Sequence, residues 1–154
     1  MSNLLNASIN GDWDMVRSLI GFCDKIDLTD EEEGRTSLMY AVIDKKDDIV
    51  KLLLEKGSSV NLQDDNGYTA LHFASQNYSL DITKLLLDYN AEVNIQDVNG
   101  NTPLSDAVFY SNGEGKIIQL LLRYGADKYL ENNYGVSPLK LANTIANYDL
   151  EKYL

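Results

Sequence analysis

The chain has one cysteine, Cys23, and one histidine, His72, among its 154 residues. A lone thiol cannot close an internal disulfide, so nothing in the cysteine content calls for an oxidising compartment. The same scarcity leaves no Cys/His cluster with the spacing of a zinc site. Cations are few as well: 13 lysines and arginines stand against 24 aspartates and glutamates, for a net charge of −11. Nucleic-acid phosphate and anionic lipid repel so acidic a chain, which argues against both as partners and favours a protein with a basic surface. The same charge also keeps a surface soluble. No apolar run approaches the roughly 18 residues of a membrane span. The N-terminal stretch, residues 1–18, has no basic region followed by an apolar one, so no signal peptide is expected and the protein is expected to be cytoplasmic.

What the sequence does contain is a period. Gly34, Gly67, Gly100 and Gly135 each sit in a short polar turn, at spacings of 33, 33 and 35 residues. A fixed step of this size marks a repeat solenoid. The stretch 64–96 gives the unit: a turn, a short helix around Leu71 and Ala74, and a second helix carrying Ile82 and Leu85–Leu87. Ala7 to Met15, Ala41 to Ile49 and Ala74 to Ile82 are all steps of eight, so each unit pairs two helices. A single all-α domain follows, with units at about 1–30 (an N-terminal cap), 31–63, 64–96, 97–131 and 132–154 (a C-terminal cap).

Local signals support the pairing. Asp12 is placed to cap the second helix of the first unit, whose apolar face reads Met15, Val16, Leu19 and Ile20, with Trp13 at its start. Gly57 follows an apolar helix as a C-cap, and Asn90 stands at the equivalent place in the third unit because asparagine also tolerates the left-handed conformation. Pro103 and Pro138 fall in a first helical turn, where the missing N–H costs nothing. Asn66-Gly67 and Asn99-Gly100 are hairpin signals between units. Ala107 to Ile117 is a step of ten, so two residues are inserted in the loop at Asn112-Gly113. The last unit, with Ala142 and Leu150, lacks the triple-leucine run, as an end cap would.

Gly67-Tyr68-Thr69-Ala70-Leu71-His72-Phe73-Ala74, Gly100-Asn101-Thr102-Pro103-Leu104, Ile49-Val50-Lys51-Leu52-Leu53-Leu54 and Gly125-Ala126-Asp127 resemble the ankyrin repeat along essentially the whole chain. The resemblance implies about five stacked helix-turn-helix units with β-hairpin-like turns between them. It further implies a concave face built by the hairpin tips and first helices, used for binding proteins, and a histidine at position 72 that bonds structurally between repeats. A small, acidic, stand-alone chain of this kind is similar to bacterial immunity proteins that neutralise a cognate, often basic, toxin. A regulatory subunit or inhibitor of an enzyme is the further alternative.

No catalytic constellation emerges. Cys23 and His72 belong to different units, too far apart to act as nucleophile and base. The stretch Asp97-Val98-Asn99-Gly100-Asn101 lacks the glycine placement and the spaced glutamate of a calcium loop. No phosphate-binding glycine loop is present. The expectation is a non-catalytic module without cofactor or metal, monomeric when unbound, that binds another protein. The residues flanking the turn glycines that point to the partner are Glu32, Glu33 and Arg35; Asp65, Asn66 and Tyr68; Val98, Asn99 and Asn101; and Tyr134. From the ends of the first helices come Ile43 and Asp44; Gln76 and Asn77, with Tyr78 beside them; and Phe109 and Tyr110. The aromatics among them are the candidate anchors, since the repeat pattern leaves those places to solvent.

Overall fold

Four helices of the chain begin on the same hydrogen bond. In a computed structural model that describes residues 3–23, 25–145 and 151–154, the side chains of Thr36, Thr69, Thr102 and Ser137 accept from the backbone N–H of Met39, His72, Ser105 and Lys140 respectively. Each bond satisfies one of the free amides of a helix start, so a hydroxyl recurring two residues past the turn glycine fixes where the helix begins. Pro103 and Pro138 take the first helical position behind two of these caps.

The helices are α1 (Asn3–Ile9), α2 (Trp13–Leu19), α3 (Ser37–Ile43), α4 (Asp47–Glu55), α5 (Ala70–Gln76), α6 (Leu80–Asp88), α7 (Pro103–Tyr110), α8 (Lys116–Arg123) and α9 (Pro138–Thr144). Short 3₁₀ turns follow at Ile20–Phe22 and Glu151–Tyr153. None exceeds nine residues, so none would be stable alone, and stability comes from stacking. The odd-numbered helices pack in series, α1 on α3, α3 on α5, α5 on α7 and α7 on α9. The even-numbered helices α2, α4, α6 and α8 form a second row, called the outer helices below, the odd-numbered ones being the inner helices. Between the rows runs one continuous core, in which Leu38, Ile49, Leu53, Leu71, Ile82, Leu86, Leu104, Ile117 and Leu121 are fully buried. An all-α repeat stack results. Among the described residues no helix is long and apolar enough to cross a membrane.

Two details differ from the sequence reading. Met15 is 47% exposed while Val16 is fully buried, because no described layer packs on the outer side of α2 and its apolar stripe is covered on one side only. In the Asn-Gly turns the glycines alone take a left-handed backbone, at φ +79 for Gly67 and +82 for Gly100. Each turn is instead organised by the residue that starts it. Buried Asp64 accepts at Oδ1 from the N–H of Asn66 (2.9 Å) and Tyr68 (2.8 Å), and its own N–H donates to the Tyr68 carbonyl at 2.9 Å. Asp30, Asp97 and Asn132 play the same part in the other three turns. Burial pushes the Asp30 carboxyl up, but the N–H groups of Glu33, Glu32 and Arg35 outweigh it and hold it below the usual range. Asp12 caps α2 as expected, accepting from Met15 N–H at 3.0 Å. Asn90 takes φ +63, beside +90 for Gly57 and Gly125.

The tips are tied to one another. The N–H of Asp65, Val98 and Asn133 donates to the carbonyl of Glu33, Asn66 and Asn99 at 2.9, 3.0 and 2.9 Å. That approach is so close that a Cβ on Gly67 would stand 2.8 Å from the Val98 nitrogen, and one on Gly100 2.8 Å from that of Asn133. Glycine is required there by both backbone angle and space. Leu150, assigned to the last unit from the sequence, lies outside the described residues.

Candidate partner-binding face

His72 shows how the layers are held in register. Its Nδ1 accepts from Thr69 N–H at 3.1 Å, so the ring proton sits on Nε2 and donates to the Asn101 carbonyl in the next layer at 3.3 Å. The ring is fully buried, and burial lowers its pKa to about 4. The histidine therefore acts as a neutral structural link. Cys23 is partly buried, with its thiol donating to the Lys25 carbonyl at 3.2 Å.

The sequence-derived site residues separate into two groups. Several are committed to packing between layers. Asn77 donates to the carbonyls of Val42 and Ile43 at 3.3 and 3.2 Å, and Ile43 is packed against the core. Arg35 pairs with Glu33 and with Asp64 (3.4 Å), and its guanidinium lies 5.0 Å from the Phe73 ring centre. Tyr78 has φ +52, in the region that bulky residues rarely adopt. Its ring packs against the core, and its hydroxyl donates to the Glu114 carbonyl in the insertion loop. Burial pushes its phenol up to about 12. Lys45 occupies the matching left-handed position one layer earlier and reaches the Asn77 carbonyl at 2.9 Å. The insertion loop is thus clasped by the preceding layer. Glu32, Asp44, Asp65 and Asn66 are exposed.

The second group converges. Tyr68, Phe109, Tyr110 and Tyr134 line one cleft of about 370 Å³ together with the amides Gln76, Asn101 and Asn132. Phe109 is 62% and Tyr134 74% exposed, while Tyr110 stands edge-on to Phe109 at 5.0 Å between ring centres. Tyr68 is half-buried against His72 and Phe73 at 5.6 and 5.5 Å and forms one wall of the cleft. Val98 is 59% exposed, with Asn99 beside it on the adjoining tip. A surface with this much unpacked aromatic area, carried on short helices braced by the tips, is suited to holding a partner side chain or segment.

Some lining residues escaped the sequence reading, Asn132 and Asp106 among them. Asp106, on α7, is 8% exposed and accepts from Gln76 Nε2 at 3.2 Å. Burial first, and then the nearby Asp97 charge, push its carboxyl up to about 7. The signal was available: Asp106 lies 33 residues after Phe73 and 66 after Tyr40, so a carboxylate occupies a row of the inner helices where aromatics stand. Among the described residues no group of His, Cys, Asp or Glu is arranged to hold a metal ion.

A family model described as ankyrin repeats (3 copies) matches residues 4–97 and again residues 45–132. A comparison with curated proteins found no match.

Proposed function

The chain belongs to the ankyrin-repeat family, and from that premise we propose that it is a non-catalytic module that binds a partner protein through its inner-helix, concave face. Repeats of this family are generally protein-interaction modules. The observation that carries the reading for this chain is the gathering of Tyr68, Phe109, Tyr110 and Tyr134 around one cleft on that face. Exposed aromatics ringed by amide groups have the make-up of an interface hot spot. The cleft offers one carboxyl and three phenols as titratable groups, which suits recognition better than proton transfer between a matched acid and base.

The charge of −11 favours a partner with a basic surface, met by a monomer in the cytoplasm. Neutralisation of a cognate basic toxin, as an immunity protein, is the narrower form of the same reading and rests on the same charge. Regulation or inhibition of an enzyme would use the same face. Affinity capture from native cells followed by mass spectrometry identifies the partner. With that partner in hand, the association rate should fall steeply as salt is raised from about 50 mM to about 500 mM, since screening shortens the reach of the field to a few ångströms. A rate indifferent to salt would remove charge from the recognition.

A further inference from the structure

The aromatic cleft has a buried acid among its lining residues. Asp106 is more than nine-tenths buried, yet it lines a space open enough to leave Phe109 and Tyr134 mostly exposed. The hydrogen-bond donor the structure gives it is one amide, Gln76 Nε2 on Oδ2. No ion pair reaches it among the described residues. A carboxyl without a cation is a poor neighbour for apolar walls, and burial strengthens its hold on a proton. The turn carboxylates differ in kind. Asp30, Asp64 and Asp97 are satisfied by backbone N–H groups and face into their own turns.

We propose that this cleft receives an arginine side chain of the partner protein, its guanidinium paired with the Asp106 carboxylate and its plane laid against the surrounding aromatic rings. The inference rests on the reading that this face binds a protein, and adds the chemistry of the central contact. Ring faces attract a cation, and a desolvated carboxylate completes the charge. Arginine fits better than lysine for two reasons. Its flat guanidinium stacks on rings, and its fork of N–H donors can pair with both oxygens of the Asp106 carboxylate, beside the Gln76 amide that already holds one of them. A volume of about 370 Å³ lies at the small end of ligand pockets, the scale of one long side chain and not of a folded element. The acidity of the whole chain would guide a basic partner to it.

The test uses the full chain, isotopically labelled, titrated by NMR at about pH 8, where the carboxyl is ionised. The probes are acetyl-arginine methylamide, its uncharged isostere acetyl-citrulline methylamide, and acetyl-lysine methylamide. The arginine probe should shift the signals of Gln76, Asp106 and Tyr134 and saturate in the millimolar range. The citrulline probe should bind at least about tenfold more weakly, the loss expected for one charge-assisted contact. Asp106→Asn should reduce the arginine probe to the citrulline level, and Tyr134→Ala, at an exposed position, should weaken it in a fold left intact. Equal binding of arginine and citrulline, tighter binding of lysine, or an unchanged Asp106→Asn would each overturn the proposal. If the probe fails while the partner's footprint still falls on this face, the arginine assignment is wrong and the interaction reading stands. If the probe binds while the partner's footprint lies elsewhere, the interaction reading is the one that fails.

Discussion

Asp106→Asn and His72→Asn should tilt the pH dependence of stability in opposite directions, from a wild-type profile nearly flat between about pH 4.5 and 6.5. Each group carries a large perturbation, and the two oppose one another. His72 is neutral in the folded chain, with a pKa of about 4 against 6.5 when free. Its contribution is complete above the free value and is lost as pH falls from 6.5 towards 4, because the unfolded chain takes up a proton that the folded one refuses. At about 1.4 kcal/mol per pH unit this amounts to roughly 3 kcal/mol. Asp106 is protonated in the folded chain up to about pH 7 against 3.8 when free. Its contribution is complete below 3.8 and is lost as pH rises towards 7, by roughly 4 kcal/mol. Where the two windows overlap, one gain offsets the other. Asp30 and Asp48, whose carboxyls are held below the usual range, act at lower pH.

With Asp106→Asn the amide keeps an acceptor for Gln76, and the remaining histidine makes stability rise with pH by roughly 3 kcal/mol across the window. With His72→Asn the chain is weaker throughout, having lost a buried link to the Asn101 carbonyl, and stability falls with rising pH. Urea unfolding followed by circular dichroism at a series of pH values measures both slopes. An Asp106→Asn profile as flat as the wild type would show that the carboxyl ionises normally.

The largest effect on binding should come from Phe109→Ala combined with Tyr134→Ala. Both side chains are mostly exposed, so their removal opens no core cavity and folding stability should move by less than about 0.5 kcal/mol. Aromatic anchors at the centre of an interface are worth about 2 kcal/mol or more each, so affinity for the captured partner should fall by about 1,000-fold where the two losses add. Tyr124→Ala is the matched control: it is 44% exposed at the end of α8, bonded to Asp88 at 2.7 Å, and stands on the outer row. Its affinity should equal that of the wild type. Calorimetry on the three proteins separates these outcomes, and a double variant that binds normally would remove Phe109 and Tyr134 from the interface.

The sequence reveals the frame of this molecule because its constraints are local. A turn glycine and an apolar pair eight residues apart each act within one unit, so repetition exposes them without any knowledge of the stack. The hydroxyl caps at Thr36, Thr69, Thr102 and Ser137 are just as local, though the sequence reading did not single them out. What one unit cannot show is contact across layers. Tyr68, Tyr78 and Arg35 look alike on paper as large side chains near turns. Only the stack shows that Tyr78 reaches Glu114, thirty-six residues on, and that Arg35 reaches Asp64. Met15 fails for the same reason, since a burial pattern borrowed from inner layers does not hold where a covering layer is missing. Asp106 was visible only by comparing rows between units, where it replaces an aromatic.

The claim at the centre of this account is that the partner sits on the turn tips and inner helices around the Tyr68–Tyr134 cleft. Hydrogen exchange of the captured complex against the free chain tests it most directly. The account predicts slowed exchange in the tips around Gly67, Gly100 and Gly135 and along α5 and α7, with α4, α6 and α8 exchanging as before. Protection confined to α4, α6 and α8 would contradict it.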